Sequence, residues 1–257
     1  MDRRDTFLGR EPRSHLASDF MRTFLLLTIV AGLSTGCSRA PASADAETVV
    51  VVHGLGRTAV SMALLVERLE RANFRVVNFS YPSTSEPIEA LVARLRETIA
   101  ECCAEESDRI HFVTHSMGGI LVRVYLAQHS RSHVGRVVML SPPNQGSEIA
   151  QAFAESPILS GLLGPAGSQL GTDSAGIAHQ LGPASFELGI LTGSRSLNPI
   201  GSWLIPGADD GKVGVERARV EGADAFRVIP ATHTFIMNRQ DVADECIQFL
   251  REGRFSE

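Results

Sequence analysis

The chain has 257 residues, with 24 basic and 29 acidic side chains and a formal net charge of −5. The two signs are interspersed, so the sequence offers no basic stripe for nucleic acid and no electrostatic pull toward an anionic membrane surface. Its four cysteines do not make a disulfide framework, and no His, Cys and carboxylate cluster has the ligand spacing of a catalytic metal site.

The first 44 residues read as an export leader and linker rather than as part of the fold. Arg22 precedes a short apolar core, Phe24 to Leu33, that is too short to span a bilayer as a stable helix and suits a secretory signal. Leu33-Ser34-Thr35-Gly36-Cys37 resembles a lipoprotein processing box, which would leave Cys37 lipidated and membrane-attached. Leu33, however, stands one place too far from the cysteine. Ala42-Ser43-Ala44 offers a rival small-x-small cleavage site. The expectation is an exported protein, periplasmic, membrane-anchored or secreted. The remaining stretch, residues 45–257, is long enough for one well-filled α/β domain.

Thr48 to Val52 is a run of four valines after a threonine, the pattern of a parallel strand buried on both faces. It ends in His53-Gly54-Leu55-Gly56, where the glycines let backbone approach a bound group. Residues 58–72 carry helical apolar spacing at Met62, Leu65 and Leu69. A strand is expected over Phe74 to Phe79, then a turn over Ser80 to Pro87, then a helix with Ile88, Leu91, Leu95 and Ile99 facing inward. Arg109 to Val113 reads as a strand and Gly118 to His129 as a helix. Further strands are expected over Val134 to Leu140, Phe186 to Thr192 and Phe226 to Ile229, and a helix over 235–251. Strands alternating with helices argue a mainly parallel sheet of about six strands joined by right-handed crossovers. Residues 144–183 break the rhythm with Gly, Ser, Ala and Leu. They are expected to form a short cap over an acyl-binding groove, with a surface insertion as the alternative. Cys102, Cys103 and Cys246 are expected as buried thiols, with a bridge from one of the adjacent pair to Cys246 as the other reading.

Between the third strand and its helix stands Thr114-His115-Ser116-Met117-Gly118-Gly119. It reads as a nucleophile elbow, a sharp turn that favours small residues two before and two after the serine. Gly118 satisfies this, whereas Thr114 replaces the usual first glycine. Downstream lie an acidic loop with Asp209 and Asp210, then a loop carrying His233. Serine, acid (Asp210 or Asp209) and histidine therefore follow the chain order of a serine triad on an α/β-hydrolase sheet. Gly54-x-Gly56 lacks the third glycine of a dinucleotide fingerprint, and no cofactor is expected.

On the elbow, the His53-Gly-Leu-Gly56 loop, Leu140 to Ser147 and Asp210-Gly-Lys-Val213, the chain resembles an α/β-hydrolase of the bacterial lipase and esterase kind. It is similar to the small lipases and the inositol-deacylase-like branch, over roughly residues 47–252. The resemblance implies an α/β-hydrolase fold and hydrolysis of lipid or other acyl esters through an acyl-enzyme. It also implies Ser116 as nucleophile, His233 as base and Asp210 as orienting acid, with the backbone N–H groups of Leu55 and Met117 as oxyanion hole. An acyltransferase or thioesterase with the same triad, and a non-catalytic binding module on the same fold, are the alternatives.

Overall fold

The computed structural model describes residues 46–103, 109–129, 133–159 and 161–257. The leader, with Cys37 and the Ala42-Ser43-Ala44 site, lies outside them, as does Ser160 of the glycine-rich segment. Six strands form one sheet: β1 (Thr48–Val52), β2 (Arg75–Phe79), β3 (Ile110–His115), β4 (Val134–Leu140), β5 (Leu188–Gly193) and β6 (Ala225–Ile229). Their order is β2-β1-β3-β4-β5-β6, and every neighbouring pair is parallel. The α-helices in chain order are α1 (Ala63–Arg71), α2 (Ile88–Cys102), α3 (Met117–Gln128), α4 (Glu148–Glu155), α5 (Gly164–Ser168), α6 (Ile177–Gln180), α7 (Pro199–Leu204) and α8 (Gln240–Glu252).

The valine run of β1 explains the layering. Successive strand residues point to opposite faces, so Val50 and Val52 enter one apolar cluster with Leu91 and Leu95 of α2 and Ile120 of α3. Val49 and Val51 enter the other, with Leu65 and Leu69 of α1 and Val242, Cys246 and Phe249 of α8. A strand covered on both sides cannot alternate apolar with polar, which is why β1 reads as unbroken valine. Helix α3 is buried around most of its circumference, from Met117 through Val124 and again at Leu126. An apolar stripe that wide suits a helix packed on more than one side.

The order in which strands are added to the sheet reverses at β1, which pairs with β2 on one side and β3 on the other. The carboxyl ends of β1 and β3 therefore open a crevice at the switch point, where ligands of open α/β sheets bind.

Two expectations shift. The last helix begins at Gln240, not 235. Ile236–Asn238 form a short 3-10 turn, and Arg239 stands in extended backbone before the helix. Buried Ile236 and Met237 continue the apolar spacing, so the pattern concealed the break. Of the cysteines, Cys246 is a free thiol in the core, its pKa raised by burial, while Cys102 and Cys103 are only half-buried. The bridge to Cys246 is thus not formed.

Phe249 fits against β5 because Gly189 has no side chain; a Cβ there would sit 2.8 Å from its ring. Truncating this fully buried ring by Phe249→Ala is expected to lower stability by about 3–5 kcal/mol, read from the urea unfolding midpoint.

Candidate active site

Ser116 follows the last residue of β3 with φ 54° and ψ −125°, a left-handed backbone that a side chain adopts only when its surroundings enforce it. Two backbone bonds fix it: Ser116 N donates to Leu140 O at 2.8 Å, and Gly119 N donates to Ser116 O at 2.9 Å. The turn drives α3 against the end of β1. A Cβ on Gly118 would lie 2.5 Å from Val52 O and 2.7 Å from His53 O, so only glycine fits. Thr114, at the other small position, is fully buried in β3.

His233, in the loop after β6, directs Nδ1 to Asp210 Oδ2 at 2.8 Å. The main chain repeats the contact, His233 N donating to Asp210 O at 2.9 Å. The other carboxylate oxygen, Oδ1, accepts from Lys212 N at 3.0 Å and Val213 N at 2.9 Å. Burial pushes the Asp210 carboxyl up, but the charge of His233 and bonds from His233, Ser141 and Val213 N–H outweigh it and hold the pKa below the ordinary value. Asp209 points elsewhere: its Oδ1 accepts from Ser202 Oγ and Gly211 N, both at 2.7 Å. Of the two candidates, Asp210 meets the histidine and Asp209 braces the loop.

Ser116, His233 and Leu55 line one cavity of about 460 Å³. Its far wall is apolar, formed by Ile149 and Phe153 of α4, Leu162, Leu163 and Leu170. Helix α7 adds Ile200 and Leu204. Met117 is buried at the start of α3, where the first N–H groups of a helix lack intrahelical partners and the dipole is positive. Among the described residues no group of three or more His, Cys, Asp or Glu side chains is placed to hold a metal.

A sequence model of the alpha/beta hydrolase family matches residues 49–245. The chain belongs to that family. Solved structures share its fold at low identity. A mature lipase from Bacillus licheniformis is 20% identical with a TM-score of 0.66, over 83% of this chain and 94% of that one. A phospholipase from Legionella pneumophila is 18% identical with a TM-score of 0.63, over 81% of this chain and 59% of that one. A metagenomic carboxyl esterase is 22% identical with a TM-score of 0.56, over 76% and 66%. No curated protein sequence matches the chain.

Several residues that brace this hydrolase-family site were not singled out from sequence. Tyr81 donates its hydroxyl to His53 O at 2.5 Å and stacks on the His53 ring at 4.0 Å. Ser83 Oγ accepts from Gly56 N at 3.1 Å. Together they hold the 53–57 loop from the β2 side, and burial raises the Tyr81 pKa, keeping it a donor. His115 is buried, with its pKa well below the ordinary value through burial and then the neighbouring His233. The neutral ring binds His233 O through Nε2 at 3.0 Å, which assigns the proton to that nitrogen. Gly193 ends β5 where a Cβ would lie 2.8 Å from Asp210 Cβ and 2.4 Å from Ala231 O. The buried Arg123 of α3 donates to Asn144 O and Oδ1 and to the carbonyls of Leu181 and Gly182, tying both ends of the 144–183 segment to the helix behind Ser116. For α7 a local signal existed: Asn198-Pro199, a capping side chain that accepts from Gly201 N followed by proline at the first helical position.

The depressed Asp210 pKa sets a pH dependence of stability. Its contribution is present above the unfolded carboxylate value of about 3.9 and is lost as pH falls through the lower folded value. Urea midpoints measured from neutral to acid pH are expected to fall across that window in the wild type, and to fall less in Asp210→Asn.

Proposed function

We propose that this protein is a serine hydrolase that cleaves carboxylic esters, most naturally acyl esters, through an acyl-enzyme on Ser116. The observation that carries this reading is the Asp210–His233 pair, whose histidine lines the same cavity as Ser116 on its strained turn. The structures it resembles are named as a lipase, a phospholipase and a carboxyl esterase, which is consistent with ester chemistry.

A serine hydroxyl attacks poorly unless a base removes its proton during attack. His233 takes that role, with Asp210 holding Nδ1–H and stabilising the imidazolium that forms. The oxyanion of the tetrahedral intermediate meets the backbone N–H groups of Leu55 and Met117, reinforced by the positive end of α3. A donor of this kind contributes about 2.7–4 kcal/mol to the transition state. Collapse expels the alcohol, which receives the proton from His233. Water then attacks the acyl-serine with the same histidine as base.

In this reading the 144–183 segment and α7 act as a cap whose apolar wall receives the acyl chain. The apolar leader core and the processing sites at Cys37 and Ala44 support export, with lipid attachment at Cys37 as one route to a membrane.

The experiment is hydrolysis of p-nitrophenyl esters of increasing acyl length by the wild type and by Ser116→Ala, with fluorophosphonate labelling in parallel. Turnover is expected in the wild type and at least about 1,000-fold less in the variant, with the label on Ser116. Undiminished turnover in Ser116→Ala, or inertness to both ester and probe, would overturn the reading.

A further inference from the structure

We infer that the ester taken by this site carries an anionic phosphate on its alcohol half, gripped by Arg57 and Lys212. The inference rests on the serine-hydrolase reading above and names its substrate class.

The chain as a whole is acidic, yet among the described residues no Asp or Glu side chain lines the cavity. Its charged lining residues are Arg57 and Lys212, set beside His233. Asp210 lies beneath the surface and is committed to His233. Neither cation has an ion-pair partner among the described residues. Arg57 spends one donor, Nη2 on Thr234 O at 2.9 Å, which anchors the guanidinium to the loop of His233 and leaves the rest of its fork for a ligand. The backbone of Lys212 is pinned on both sides: its N–H binds Asp210 Oδ1, and its carbonyl accepts from Ser147 Oγ at 3.2 Å. Arg57 and Lys212 line the same cavity, and the Lys212 ammonium has a lowered pKa, first through partial burial and then through the charge of Arg57, with the charge of Asp210 acting in the opposite direction. Two like charges on the lining of one cavity, with the nearby Asp210 carboxylate already committed to His233, are an unfavourable arrangement that a bound anion would relieve.

Position along the chain says where the anion sits. Arg57 follows Leu55 by two residues and Lys212 follows Asp210 by two, so both cations ride on loops that carry the reacting groups. The apolar wall of Ile149, Phe153, Leu162 and Leu163 comes from the cap. The acyl chain therefore goes to the cap, and the negative group lies within a few bonds of the ester on the leaving-alcohol side. Phosphate suits this pair because its oxygens point in several directions. A guanidinium fork can engage two of them while an ammonium reaches another. An acylated glycerol phosphate has this layout.

The test uses two ligands with one acyl chain, monodecanoylglycerol and its phosphate monoester, below the concentration at which either forms micelles. Ser116→Ala protein, in which the ester stays intact, is titrated with each by calorimetry. The phosphorylated ligand is expected to bind about ten-fold tighter or more at low salt, with the preference shrinking as salt rises. The preference should collapse in Arg57→Gln/Lys212→Gln and persist largely in Arg57→Lys, which keeps the charge. In the wild type the ratio of kcat/KM values for the two esters should move in the same way. Equal binding of the two ligands, or a preference that survives the double substitution, would overturn the inference. So would inorganic phosphate or glycerol phosphate competing as well as the acylated ligand, since the site would then serve free phosphate. Failure of the underlying hydrolase reading looks different: the binding preference stays while neither ester turns over and Ser116 resists the fluorophosphonate.

Discussion

A serine held at φ 54° between a buried strand and a buried helix is the constraint on which the rest of this site depends. The turn is tolerable only because Gly118 lets α3 press on the carbonyls of Val52 and His53. That pressure brings the end of β1 beside the start of α3. The placement of the two backbones proposed to share the oxyanion thus follows from this packing, with Tyr81 and Ser83 bracing the 53–57 loop from the β2 side. Strain in the turn is offset by burial of β1, β3 and α3 on both layers of the molecule.

The same economy governs the histidine and the acid. Asp210 and His233 are joined twice, through side chain and through main chain. His115 then ties the carbonyl of His233 back to the elbow. Its low pKa keeps it neutral beside the histidine proposed to accept a proton, which avoids a second positive charge at the centre. Gly193 supplies the space into which the acid and histidine loops both fold. Removing any one of these contacts would act through the others, so their energetic effects should be non-additive.

Much of this could be read in the sequence because it is local. The valine run and the Thr114-to-Gly119 turn are short patterns whose meaning does not depend on distant residues, and the six expected strands correspond to β1 through β6 within a residue or two. What escaped is set by contacts far apart in the chain. Tyr81 matters because it reaches back to His53, and Arg123 because one guanidinium grasps Asn144 and Gly182. Neither has a signature at its own position. The choice between Asp209 and Asp210 was of the same kind: two adjacent carboxylates look alike until one is found on Ser202 and Gly211 N and the other on His233. The start of α8 was hidden because buried Ile236 and Met237 imitate helical spacing while sitting in a 3-10 turn.

The central claim is that His233 works because Asp210 holds it. The most direct measurement is kcat/KM toward a single activated ester for Asp210→Asn beside Asp209→Asn, both checked for native folding by circular dichroism. The account gives a loss on the order of 1,000- to 10,000-fold for Asp210→Asn and a loss within about ten-fold for Asp209→Asn. A well-folded Asp210→Asn protein with near wild-type activity, or a larger loss in Asp209→Asn, would contradict it.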